Sequence, residues 1–114
     1  MKNFCYYLLL VLLLLVSGCD SSYEGTVIAT PHPPELEILN DTDKPVFYLV
    51  IETEESHLID LADPCENFRP NLPPQSTITI PYGQIAGMNK NAESVWFMWT
   101  DCQGESGSRT IKLY

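Results

Sequence analysis

From Leu36 to Tyr114 no stretch sustains an amphipathic helical pattern for ten residues; short β-rich runs alternate with turn signals instead. That pattern points away from helical bundles and α/β layers and toward an all-β architecture. Leu36-Glu37-Ile38-Leu39 reads as one short strand, closed by the turn cluster NDTDKP from Asn40 to Pro45. Val46 to Glu52, VFYLVIE, is apolar on both faces, which predicts a central buried strand. Thr53-Glu54-Glu55-Ser56 then reads as a hairpin tip, returning through His57 to Leu61. An irregular stretch with four prolines follows from Asp63 to Pro74. Ser76 to Ile80, STITI, alternates with period two, as a strand with one solvated face does. PYGQIAG, residues 81–87, predicts a turn or a single helical turn. Ser94 to Thr100, SVWFMWT, is again apolar on both faces, and Arg109 to Tyr114 closes the chain with clean alternation.

Six or seven short antiparallel strands predict a small β-sandwich, immunoglobulin- or fibronectin-like in shape, over residues 35–114; a small β-barrel is the alternative. Trp96, Trp99, Phe47 and Ile51 are the expected core residues. Trp96 and Trp99 are three apart, so on a strand they face opposite sides. One fills the core; the other lies under a loop, for which the Cys65 connection is the obvious cover, or stands exposed as a binding anchor. Tyr48 and Tyr82 leave the same two readings open.

The N-terminus has a separate logic. Met1-Lys2-Asn3 gives a short positive head, and Phe4 to Val16 is thirteen residues without a charge. That length suits the apolar core of a secretory signal and is short of the roughly 20 residues that a membrane-crossing helix needs. Val16-Ser17-Gly18-Cys19 follows, and it resembles the lipobox of bacterial lipoproteins. The resemblance implies that residues 1–18 are a signal peptide. It also implies that Cys19 carries a diacylglyceryl group and that its new amine is acylated, palmitate being a typical chain. Two or three fatty chains anchor stably where one is marginal, each buried CH₂ contributing about 0.8 kcal/mol. The implied address is the cell envelope. Asp20 resembles the inner-membrane retention signal of enteric-type bacteria, a position other bacterial groups do not read, so either membrane remains open.

On this reading residues 19–34 form a lipid-anchored tether: DSSYEGTVIATPHPP starts polar and ends in a piece that favours extended polyproline geometry. Thr26 to Thr30 is β-like and offers an edge strand as the other possibility. Of the four cysteines, Cys5 leaves with the signal and Cys19 is lipidated, so Cys65 and Cys102 are the pair expected to form a disulfide in an oxidising compartment. Closing a loop of about 38 residues stabilises a fold by roughly 3–4 kcal/mol in the chain-entropy picture.

Charge narrows the partners. The precursor has six Lys/Arg and fifteen Asp/Glu, and loss of Lys2 with the signal leaves a mature charge of −10. Nucleic acid is therefore not an expected partner. An acidic module suits a solubilised domain held off anionic headgroups.

Candidate chemistry is sparse. His57, Asp60, Asp63, Cys65 and Glu66 form the densest cluster of metal-ligand residue types, but His57 and Asp60 would point to opposite faces of a strand and Cys65 is committed to its disulfide. His32 falls in the tether. Asp41 and Asp43 are better explained by turn formation than by calcium, since no twelve-residue calcium loop is present. Met98 precedes Cys102, yet no histidine follows to complete a copper loop. No nucleophile elbow, zinc-protease helix or phosphate-binding glycine loop occurs. The expectation is a non-catalytic, cofactor-free binding or structural module, attached to the membrane through Cys19 and meeting an envelope protein. The alternative is an inhibitor or regulator of another protein, like the small lipoproteins that block lysozyme, although Ser106-Gly107-Ser108-Arg109 resembles their signature only faintly.

Overall fold

The computed structural model describes residues 25–114, so Cys19 and the first part of the expected tether lie outside the described residues. Six strands form: β1 (Val27–His32), β2 (Glu35–Asn40), β3 (Phe47–Glu52), β4 (Ser76–Pro81), β5 (Ser94–Thr100) and β6 (Ser106–Lys112). A single helical turn, α1 (Thr53–Ser56), follows β3, and a 3₁₀ turn (Tyr82–Gln84) follows β4. The strands make two three-stranded antiparallel sheets, ordered β1-β2-β4 and β3-β5-β6, packed as a small all-β sandwich. This is the strand order of an immunoglobulin-type sandwich without its fourth strand, whose place the long β3–β4 connection takes. The sheets remain separate at the β1/β6 seam, where a cavity of about 230 Å³ lies between Val27–Ile28 and Gly107–Arg109.

The core follows from alternation. Val27 and Ala29, Leu36 and Ile38, and half-buried Ile78 and Ile80 point inward from one sheet. Val50, Val95, Phe97, Trp99 and Ile111 answer from the other. Of the four core residues expected from the sequence, Trp99 alone belongs to this cluster. Phe47, Ile51 and Trp96 share the opposite face of the β3-β5-β6 sheet; Ile51 is buried there, and Phe47 and Trp96 are half-buried.

Three segments differ from the sequence reading. Residues 27–32 are strand β1, paired with β2 from Val27↔Asn40 to His32↔Glu35, so of the two readings of Thr26–Thr30 the edge strand forms and the tether does not run on to residue 34. Val27 and Ala29 are buried while Ile28 and Thr30 are exposed, so alternation placed one face in the core. The Pro33-Pro34 bond is cis and sits in the two-residue turn joining β1 to β2, where an extended polyproline piece was expected. β3 is an edge strand and not a central one; β5 takes the centre. Finally, Thr53–Ser56 is helical, and no strand returns through residues 57–61.

Candidate functional site

The region that leaves β3 carries the features of a site. Glu52 ends the strand with its carboxylate buried, and that carboxylate accepts the backbone N–H of Glu55 at 2.9 Å, capping α1. Glu54 and Glu55 fall in the first turn, where negative charge is favoured by the helix dipole. The Thr53 hydroxyl meets the Ser94 hydroxyl at 2.7 Å and ties α1 to β5. Gly87, at φ +78°, lies so close to Glu55 that an added Cβ would stand 2.7 Å from the Glu55 Cβ. A capped, crowded turn is thus built where a hairpin tip was expected.

Beyond it the chain emerges into solvent. His57 and Leu58 donate their backbone N–H groups to the carbonyls of Glu54 and Glu55, at 3.2 and 3.0 Å. Leu58 is then 78% exposed, Ile59 40% and Leu61 48%. Leu61 and His57 also border a cavity of about 190 Å³ with Trp96, Thr53, Ser56 and Thr110. Trp96 is therefore the outward tryptophan, half-covered by the start of the Cys65 connection, while Trp99 is the inward one. That connection continues to the other end of the sheet, where Cys65 is disulfide-bonded to Cys102 just past β5, with Cα atoms 5.5 Å apart.

The cysteine, histidine and carboxylates of HLIDLADPCE do not converge. His57, Asp60, Asp63 and Glu66 are exposed, and Asp63 Oδ1 accepts the Cys65 N–H at 2.9 Å, a local turn bond. Among the described residues, no group of three or more His, Cys, Asp or Glu side chains is placed to hold a metal ion. His32 is exposed at the end of β1, opposite Glu35. In the NDTDKP turn the organising side chain is Asn40. Asp41 and Asp43 instead border an open, acidic concavity of about 460 Å³ that also includes Asp101 and Glu105. Asp101 is buried because its Oδ1 accepts the N–H groups of Gln103 and Glu105, at 2.7 and 3.0 Å, closing the β5–β6 turn. Met98 is half-buried on the outer face opposite Leu49.

Sequence reading passed over the polar side chains that fix this scaffold. Asn40 is fully buried. Asn71 docks its amide on both backbone groups of Tyr48, accepting from the N–H at 2.9 Å and donating to the carbonyl at 3.0 Å. The Tyr82 hydroxyl donates to the Leu113 carbonyl at 2.8 Å. Burial raises the phenol pKa of Tyr48, and burial together with the neighbouring Tyr114 raises that of Tyr82. The one available signal was a polar residue placed next to an apolar run. Comparison with protein-family models, curated proteins and solved structures found no match to the chain.

Proposed function

We propose that the chain is a lipid-anchored cell-envelope protein whose β-sandwich is a non-catalytic binding or structural module. The carrying observation is the thirteen-residue uncharged run followed directly by Val16-Ser17-Gly18-Cys19. The Cys65–Cys102 disulfide supports this address, since such bonds persist in oxidising compartments. Among the described residues no helix is long and apolar enough to cross a membrane, so on this reading attachment falls to the lipid. Growing cells fed radioactive palmitate test it. The expected product is labelled, and Cys19→Ser abolishes the label; an unlabelled chain that keeps Met1 would overturn the assignment.

A second reading, regulation or inhibition of another envelope protein, is favoured by the exposed Leu58-Ile59-Asp60-Leu61 segment with carboxylates around it. A lysozyme assay separates the two: full lysozyme activity at equimolar protein removes the lysozyme-inhibitor version.

A further inference from the structure

We propose that Leu58, Ile59 and Leu61 form a docking crest that inserts into an apolar groove rimmed by lysine or arginine on another envelope protein. The inference rests on the binding-module reading and supplies the chemistry of the partner.

Three neighbouring large apolar side chains on one short loop are an uncommon expense of exposed surface in a domain this small, and such patches mark contact sites. The crest is also held in place. At one end α1 is capped by Glu52 and tied to β5 through Thr53 and Ser94; at the other, the Cys65–Cys102 bond fixes the connection. A loop ordered before binding loses less conformational freedom on binding.

Charge selects the occupant. From Thr53 to Glu66 the chain carries five carboxylates (Glu54, Glu55, Asp60, Asp63, Glu66), all exposed, and no lysine or arginine. Asp60 stands between Ile59 and Leu61 in the crest itself. A lipid surface is a poor match, because anionic headgroups repel this rim. Position argues the same way. Asp41 N–H bonds the Thr26 carbonyl at 2.9 Å, so the chain enters the sandwich at the end where β3 begins, whereas the crest follows the end where β3 stops. A second copy of the chain is equally unsuited, since a two-fold contact would bring two acidic rims together. A cationic rim around an apolar groove satisfies both the crest and its carboxylates.

The test places a photo-crosslinking amino acid at position 59 of the full-length chain in its own cells, with the same probe at Thr79, exposed on the other sheet, as control. The position-59 adduct is expected to be a different protein, joined at a peptide containing lysine or arginine, and to be lost in Leu58→Asp. With that partner purified, Leu58→Ser/Ile59→Ser should weaken binding at least tenfold. Asp60→Lys/Asp63→Lys should weaken it and flatten its salt dependence, with melting curves close to those of the parent. Adducts with lipid, with a second copy or with no molecule would overturn the crest, as would an adduct that survives Leu58→Asp or a contact without cationic residues. Palmitate labelling of the same cultures keeps the two proposals apart: a labelled chain without the adduct sinks the crest alone, and the adduct on an unlabelled chain sinks the anchor alone.

Discussion

The fully buried amide of Asn40 donates to the carbonyls of Lys44, Leu72 and Pro73, at 2.8, 3.2 and 3.0 Å, while its oxygen accepts from the N–H and hydroxyl of Thr42, at 3.0 and 2.6 Å. One side chain thus closes the β2–β3 turn and holds the end of the long connection against it. Asn40→Ala should cost about 2–4 kcal/mol in urea unfolding, because five hydrogen bonds that join the turn to the long connection are lost together from a buried site. Tyr82 gives the molecule a pH dependence with a definite sign. Its phenol ionises near pH 10 in the unfolded chain and higher in the fold, so above pH 10 the folded state holds more protons. Stability is therefore complete below about pH 10 and falls as pH rises through the folded pKa; Tyr48 acts in the same direction. Tyr82→Phe should lower the neutral-pH plateau by about 1 kcal/mol and shrink the alkaline loss, as unfolding titrations from pH 8 to 11 would show. These roles were invisible in the sequence because an asparagine in a turn cluster and a tyrosine beside a glycine look the same whether buried or solvated. Ser106-Gly107-Ser108-Arg109 shows the converse. Its glycine has a packing reason, since a Cβ there would stand 2.7 Å from the Trp99 indole nitrogen.

At the scale of elements, alternation located strands well and their neighbours poorly. Ser76–Ile80 was legible because period two is a property of the strand alone, and Ser94–Thr100 because a short run apolar on both faces marks a strand covered on both sides. A run apolar on both faces reports that both faces are covered and says nothing of the strand's edges; the free edge of β3 is met by loop groups. Ile51 forms an isolated parallel bridge with Ala86, and the Glu52 N–H bonds the Ala86 carbonyl at 2.9 Å. Val46 bridges Leu72, and between them the Asn71 amide stands in for a neighbouring strand at Tyr48. Loop groups thus blunt the free edge of β3, a common defence against edge-to-edge association. α1 was unreadable for a related reason: its cap is a glutamate whose burial only the packed fold supplies. The crest was legible as a sequence and illegible as a surface, since LID-L is ordinary strand material until the returning strand proves absent.

For the whole molecule, what matters is where the sandwich starts after Cys19 and where the staple lies, which is where the sequence places it, between the proline-rich connection and the end of the tryptophan strand. The described residues begin at Gly25, whose Cβ position would collide with the Asp41 carbonyl. Cys19 and Gly25 are six residues apart, a reach of about 20 Å at full extension, so a lipid anchor at Cys19 would hold the sandwich close to the membrane with the crest at its far end. The staple crosses neither sheet. It joins the long β3–β4 connection to the turn after β5, and so bounds the segment that carries the crest. With 37 residues of separation, the chain-entropy picture gives about 4 kcal/mol for the crosslink. A domain of this size has a total stability of about 5–13 kcal/mol, so the bond supplies a third or more of it. The double variant Cys65→Ser/Cys102→Ser should therefore lose about 3–4 kcal/mol and melt roughly 15–25 °C lower. Its urea m-value should rise, because an uncrosslinked denatured chain expands and exposes more surface. An unchanged m-value with a loss below about 1 kcal/mol would instead mean that the connection is held by Asn71, Leu72 and the Asn40 amide, with the crosslink redundant to them.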